Sequence, residues 1–142
     1  MDLNDLKGTS DAQFQKDITF AAIMPDATED GFETDIKLTV RSARNPQVKA
    51  ELGDIIKKSN ALAKQLERPN LTKDQRADIA EKVMQNDVEL AKLMLVKFSG
   101  LTQDGKTVPS NKENMDWLIS DYEWIRKNIT EKAVSDHAFY GV

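Results

Sequence analysis

The sequence contains no cysteine among its 142 residues. Disulfides, catalytic thiolates and cysteine-ligated metal sites are therefore excluded. It has one histidine, His137, whose neighbour in sequence is Asp136. Adjacent residues rarely face each other on a helix, so a general base oriented by this carboxylate is not favoured. We interpret His137 as a surface or capping residue, and no nucleophile stands out elsewhere.

An excess of basic residues is also missing, because 20 Lys and Arg stand against 24 Asp and Glu. A phosphate-binding face is therefore not indicated, and we expect no nucleic-acid partner. No apolar run approaches the roughly 18 residues that a membrane span needs. The first residues, Met1–Asp5, lack the basic start and apolar core of a secretory signal. We expect a soluble intracellular protein without a membrane partner.

The residues that are present predict a single domain over 1–142, since the length and a hydrophobic fraction of 39% suffice for one core. Apolar and polar residues alternate along two stretches on either side of a turn-forming loop, Pro25–Gly31. Alternation is typical of strands with one buried face. The pattern predicts an antiparallel β-hairpin over about 14–42, with Ile18, Phe20, Ala22, Ile36, Leu38 and Val40 facing the core.

Helical spacing dominates the middle of the chain. Asn45-Pro46 is typical of a helix start, and a first long helix is predicted over about 46–66. Thr72 and Gln75 have the spacing of a capping box, and Gly100 is typical of a helix end, so a second is predicted over about 73–99. Its last part is apolar around almost the whole circumference. Gly53 costs about 1 kcal/mol relative to alanine inside the first helix and leaves room for a close contact.

Two shorter helices are predicted over about 111–120 and 122–136. Ser110 and Glu113 have capping-box spacing at the start of the first one, and the second is expected to turn Tyr122 inward. Phe139 and Tyr140 follow as a tail that docks on the core. The fold class is therefore mainly α with a small β-hairpin, in which an N-terminal antiparallel hairpin packs on a bundle of about four helices.

Two motifs suggest ligands. Gly100–Thr107 has the letters of a P-loop, in which backbone amides and a lysine hold phosphates. A P-loop requires a strand before it and a helix at the lysine, whereas here a helix precedes it and Lys106 is predicted in a loop. The segment Asp26–Lys37 begins like a calcium loop but has Lys37 where a bidentate glutamate is needed. We interpret both as turns and expect no cofactor and no metal.

Several stretches together carry a family resemblance, mostly within residues 36 to 140. They are Leu3–Lys7, Ile36–Ser42, Asn45-Pro46, Leu93–Leu101, Asp104–Lys106, Pro109-Ser110, Glu113-Asn114, Trp124–Ile129 and Asp136–Phe139. In this combination the chain resembles the tail assembly chaperones of long-tailed bacteriophages with non-contractile (siphovirus, lambda-like) tails. Family members often have a tryptophan just before the Gly-Leu pair, where this chain has Phe98 and Ser99.

The resemblance implies a non-enzymatic assembly factor of the host cytoplasm that is absent from the mature virion. Its implied partner is the tape measure protein, a long helical chain that the chaperone keeps soluble until the tail tube forms. The family also implies a longer, frameshifted form that recruits the tail tube protein, and self-association is left open. A groove of apolar residues is the expected binding surface, with candidate residues Leu90, Met94, Phe98, Trp117, Trp124 and Phe139.

Two other functions stay open from the sequence. Small phage proteins of this size often assemble into rings, so a structural subunit of the tail or of the head–tail junction is the alternative. A nucleotide-binding protein is the third hypothesis, and it depends on the P-loop letters alone.

Overall fold

A computed structural model describes residues 1–26, 28 and 30–141 of the chain. Helices pack on a small antiparallel sheet, which confirms the coarse fold class predicted from the sequence. Two 3-10 turns, Lys7–Thr9 and Asp11–Gln15, precede the first strand. In chain order the helices and strands are α1 (Leu3–Leu6), β1 (Ile18–Met24), β2 (Phe32–Val40), α2 (Lys49–Leu66), α3 (Lys73–Met94), β3 (Leu95–Ser99), β4 (Thr102–Gln103), β5 (Lys106–Thr107), α4 (Lys112–Asp121), α5 (Glu123–Val134) and α6 (Asp136–Phe139).

The predicted β-hairpin is confirmed, with strands shorter than the 14–42 range. β1 and β2 pair antiparallel, with Ile18 opposite Val40 and Phe20 opposite Leu38. Residues opposite each other project to the same face, and this face carries the buried side chains. On the other face the hydroxyls of Thr19 and the threonine opposite it lie 2.7 Å apart. The alternation in the sequence therefore gave the correct sides of the hairpin.

The predicted helix over 73–99 is wrong at its end. α3 stops at Met94, and the next five residues form β3, which pairs with β2 so that Phe98 lies opposite Leu38. The apolar run fits either structure, because a strand buried at alternate positions and a buried helix look alike over so few residues. β2 offers an unpaired edge, and pairing satisfies its backbone groups. Gly100, at φ 79°, ends the strand rather than a helix.

Helix starts were predicted with mixed success. At Thr72 the capping box is present, since its hydroxyl accepts from the Gln75 N–H at 3.1 Å and the Gln75 side chain accepts in return at 2.9 Å. Asn45 instead accepts from the Gln47 N–H in a turn, so α2 begins at Lys49 and not at 46. The turn delays the helix by three residues.

Ser110 is not the cap of α4, as the sequence had suggested. That role belongs to Asn111, whose side chain accepts from the Asn114 N–H at 2.8 Å. The Ser110 hydroxyl accepts from the Phe98 N–H at 2.9 Å, so it is used by β3. The Ser110 hydroxyl could accept either from a backbone N–H of the first turn of α4 or from the edge of β3. In the structure it accepts from β3.

The long helices α2 and α3 pack against each other as a helical hairpin, as predicted. Both carry residues at alternating spacings of three and four, which is the pattern of a two-helix seam. A polar pair interrupts this seam, since the Asn86 amide donates to the Ser59 hydroxyl at 3.5 Å. The residues at these spacings are Leu52, Ile55, Ser59, Leu62 and Leu66 on α2, and Ile79, Val83, Asn86, Leu90 and Leu93 on α3.

The C-terminal helices turn a corner at the predicted break. Arg126 of α5 is buried, and its guanidinium donates to the carbonyls of Ile119 at 2.8 Å and Ser120 at 3.1 Å. It thus satisfies carbonyls that the end of α4 leaves without intrahelical partners. The predicted helix over 122–136 ends at Val134, and Tyr122, expected inward, is 38% exposed.

The core lies between the sheet and the C-terminal helices. α5 covers β1 and β2, while α4 packs on β3 and α3 contacts both helices. Phe139 is fully buried, which confirms the docking tail for that residue. The largest fully buried side chains include Leu38, Val40, Met94, Leu118, Ile119, Ile125 and Ile129. None of the helices in the described residues combines the length and apolarity needed to cross a bilayer.

Each outer strand of the sheet is hydrogen-bonded at one residue by a polar side chain from the C-terminal part of the chain. On β1, the Asn128 carbonyl oxygen accepts from the Ile23 N–H at 2.8 Å, and its amide donates to the Ile23 carbonyl at 3.0 Å. This side chain imitates a neighbouring strand. On β3, Ser110 accepts from Phe98 as described. Exposed strand edges invite pairing with other chains, and these contacts occupy backbone groups of Ile23 and Phe98 that such pairing would use.

We expect Asn128→Ala to lower the free energy of unfolding by about 1–3 kcal/mol, because two backbone groups lose their partner. Urea unfolding followed by circular dichroism measures the change. Asn60→Ala is the control, since this residue is exposed on α2. Equal stabilities of the two variants would contradict the role assigned to Asn128.

Gly53 lies on the exposed side of α2, and a Cβ there would meet no described atom within 4 Å. The described part of the chain therefore makes no close contact at Gly53, although the sequence had suggested one. We expect Gly53→Ala to raise the free energy of unfolding by about 0.5–1 kcal/mol, because alanine is the better helix former. A lower stability in the same urea assay would show that the glycine is needed by the fold.

Candidate functional site

The six predicted partner-binding residues do not form one surface. Met94, Phe98 and Phe139 are buried in the core. They cannot contact a partner in this fold, and their assignment to a binding surface is corrected. The sequence identified these residues as apolar but did not show which side of their element faces the core. For Phe98 the predicted element was itself wrong, because the residue lies in β3 and not in a helix.

The other three residues reach the surface at different places. Leu90 lines a groove between α3 and α5. Trp117 is 41% exposed and meets Tyr122 edge to face, with ring centroids 5.7 Å apart. Trp124 lies on another side of α5, where it lines a cleft with Ile23. Their role in partner binding stays a prediction, and of the three only Leu90 lines the α3–α5 groove.

This α3–α5 groove encloses about 400 Å³ and is the best candidate site for a helical ligand. Its α3 wall consists of Ala80, Val83, Met84, Asp87 and Leu90, which recur at helical spacing. Met84 is 48% exposed although it is a large apolar residue. The α5 wall is polar and consists of Glu123, Arg126, Lys127 and Thr130.

The groove exists because the apolar stripe of α3 is wider than the seam with α2. Ile79 is buried, whereas Ala80 and Met84, further round the helix, face outward. All three recur at helical spacing in the sequence, which does not distinguish the covered positions from the open ones. The apolar stripe of α3 is too wide for α2 alone to cover. This width was the feature of the sequence that could have indicated a second contact surface.

Charges of both signs line the groove. Lys127 and Glu123 form an ion pair of 3.6 Å, and both side chains are more than half exposed. Exposed pairs of this kind contribute little to stability, so both groups are available to a charged ligand. Arg126 is held by the α4 carbonyls and serves the fold. Asp87 adds a carboxylate on the opposite wall.

The P-loop letters belong to a small hairpin. β4 and β5 pair antiparallel, with Gln103 opposite Lys106. The two residues between them, Asp104 and Gly105, have φ values of 52° and 78°, as a tight two-residue hairpin turn requires. Lys106 is therefore on a strand, and the next helix starts six residues later at Lys112. This segment lacks the arrangement that holds a phosphate.

The second half of the segment with the calcium-loop letters, Asp26–Lys37, belongs to strand β2. Asp26 accepts from the N–H and the hydroxyl of Thr28, and both bonds hold the pKa of its carboxyl below the ordinary value. Lys37 pairs with Ala21 on β1, so the last positions of the segment cannot fold around an ion. Within the described residues, no three His, Asp or Glu side chains come together as metal ligands do.

His137 is exposed on α6. The neighbouring Asp136 instead accepts from Arg44 at 3.0 Å, and this guanidinium also lies 4.1 Å above the Phe14 ring. The carboxylate therefore connects two parts of the chain and does not orient the imidazole. This agrees with the surface role predicted for His137.

The comparisons with known proteins leave the family open. Neither protein-family models nor curated proteins match the sequence, and no solved structure matches the fold. The groove and its exposed apolar residues are therefore the basis for a functional proposal, together with the resemblance noted in the sequence.

We expect calorimetric titration with ATP and magnesium to give no binding heat, because the Gly100–Thr107 segment lacks a helix start at the lysine. Lys106→Ala serves as the control and should behave identically. Saturable heat from the natural chain that disappears in Lys106→Ala would contradict the hairpin interpretation and restore the nucleotide-binding hypothesis.

Proposed function

We propose that this protein is a phage tail assembly chaperone, whose α3–α5 groove holds an amphipathic helix of the tape measure protein. The observation that supports this most directly is the half-exposed apolar wall of α3 around Met84. Met84 is 48% exposed and lies beside the partly covered Val83 and Leu90, so the three form one apolar patch on α3. A contiguous apolar patch on a protein surface is typical of a contact site for another molecule. The resemblance of the sequence supplies the identity of the partner.

The groove suits one helix. Recognition of this kind uses apolar residues at spacings of three and four, which dock between two helices and leave their polar side in water. The apolar wall would receive this stripe, while Glu123, Lys127 and Asp87 lie where charges on the ligand's flanks would approach. A tape measure protein offers many such helices before the tube surrounds it. A shallow groove with mixed charges fits repeated, sequence-tolerant contacts.

The aromatic pair at the α4–α5 corner extends this surface in the proposal. Trp117 and Tyr122 are 41% and 38% exposed, and Tyr122 directly precedes Glu123, which lines the groove. Aromatic side chains of this kind often anchor protein interfaces. They would hold the end of a bound helix that leaves the groove.

The remaining features follow from the family likeness. The protein would act without catalysis in the host cytoplasm and would be absent from the mature virion. A longer frameshifted form would bring the tail tube protein to the bound tape measure protein. These statements are part of the proposal, and they depend on the binding of the tape measure protein to the α3–α5 groove.

We expect Met84→Asp to weaken the complex with the cognate tape measure protein about tenfold or more, because a charge replaces an apolar side chain that the bound helix would cover. Co-expression followed by gel filtration and by titration of the purified complex measures the change. Ile56→Asp is the matched control, since Ile56 is 47% exposed on α2 and lies outside the groove.

A tape measure protein that stays insoluble with the natural chain would contradict the proposal. Stoichiometric amounts of the protein in purified particles, measured by mass spectrometry, would instead favour the structural-subunit alternative. Equal loss of binding in Met84→Asp and Ile56→Asp would show that the α3–α5 groove is not the contact surface.

A further inference from the structure

A polar cavity of about 490 Å³ lies between the open end of the β1–β2 hairpin and the turn that precedes α2. Its lining residues differ throughout from those of the α3–α5 groove. Of its lining side chains, two carry a full charge, and these charges are opposite. The cavity is lined by Gln15, Asp17, Arg41, Asn45, Pro46 and Gln47.

The positive charge belongs to Arg41, which directly follows β2 and is held in place. Its backbone N–H donates to the Met94 carbonyl at 3.0 Å, which ties it to the end of α3. Its Nε atom is buried and has no hydrogen-bond partner in the described part of the chain. The ion pairs found among the described residues do not include Arg41 either. This guanidinium is therefore a positioned donor group that lacks an acceptor.

Asn45 supplies a second donor with a fixed position. The residue is only 6% exposed, although it lines the cavity. Its side-chain oxygen already accepts from the Gln47 N–H at 2.9 Å, and its backbone N–H donates to the Ser42 carbonyl at 3.0 Å. Because the oxygen is engaged, the two N–H groups of the side-chain amide are left for a ligand in the cavity.

The negative charge belongs to Asp17, which is exposed and directly precedes β1. Ile18 pairs with Val40, so Asp17 and Arg41 leave the hairpin at the same end. The structure shows no ion pair between them in the described residues. A simple anion in the cavity would be attracted by the guanidinium and repelled by the carboxylate. A ligand that carries both charges would be attracted by each.

We propose that this cavity binds a zwitterionic α-amino acid. Its carboxylate would accept from the Arg41 guanidinium and the Asn45 amide, and its ammonium would donate to the Asp17 carboxylate. Arginine recognises carboxylates through two parallel hydrogen bonds. The amides of Gln15 and Gln47 both donate and accept, which suits a polar side chain on the ligand. This binding site goes beyond the chaperone function and does not depend on it.

Analogues that lack one charge test the proposal on the natural chain. L-glutamine carries both charges, whereas N-acetyl-L-glutamine keeps only the carboxylate and L-glutaminamide only the ammonium. We expect saturable calorimetric binding of L-glutamine, and binding of each analogue that is at least about tenfold weaker, because one charge-assisted contact is lost. The inference would be overturned if either analogue bound as tightly as L-glutamine, or if L-glutamine at about 10 mM gave no saturable binding.

Two variants locate the ligand. Asp17→Asn should weaken the binding of L-glutamine at least about tenfold but not that of N-acetyl-L-glutamine, whose carboxylate no longer meets a like charge. Arg41→Gln should weaken the binding of both compounds. Asp54→Asn and Arg68→Gln are the matched controls, since both residues are exposed and lie outside the cavity. Undiminished binding of L-glutamine to Asp17→Asn and Arg41→Gln would place the ligand elsewhere and overturn the inference.

Nuclear magnetic resonance gives a readout at the guanidinium itself. The Nε–H signal of Arg41 should shift as L-glutamine is added and should saturate together with the calorimetric heat. An unchanged signal beside saturable heat would contradict the site. The thermal unfolding curve of Asp17→Asn should match that of the natural chain, because the altered side chain is exposed. Met84→Asp should bind L-glutamine normally, so failure of either proposal leaves the other standing.

Discussion

The pairing of β3 with β2 is the interaction on which the rest of the fold depends. Without it the β1–β2 hairpin would be a two-stranded ribbon, which is marginal alone. With Phe98 opposite Leu38, the sheet becomes wide enough for α5 and α4 to cover one face. The same pairing directs the chain into the β4–β5 turn and so sets where the C-terminal helices begin.

Local signals predicted what local interactions determine. The Thr72 cap, the alternation in the hairpin and the helical spacing of α2 could be identified from the sequence, because each depends on residues a few positions apart. The end of α3 could not be identified, since Leu95–Ser99 is a strand only because β2 lies beside it. Ser110 was misassigned for the same reason, as its partner is a backbone N–H twelve positions earlier.

The candidate site was harder to predict than the fold. An apolar stripe shows that a helix face is covered, but it does not show by what. On α3 the stripe serves three purposes: Ile79 is buried, Met94 belongs to the core and Met84 lines an open groove. Only the packing of α2 and α5 on α3 separates them. The exposed residues that remain on α3 line the α3–α5 groove, beside the helical hairpin of α2 and α3.

The placement of this hairpin in the chain has a consequence for how the protein folds. Leu38 and Phe98 are partners in the sheet, and α2 and α3 fill most of the chain between them. Closing a long flexible loop is entropically costly and slow. If α2 and α3 first pair as an antiparallel hairpin, the end of α3 lies close to the start of α2, and the loop that remains to be closed between β2 and β3 is short. Helix pairing would thus come early, and the third strand would arrive already close to the edge it completes.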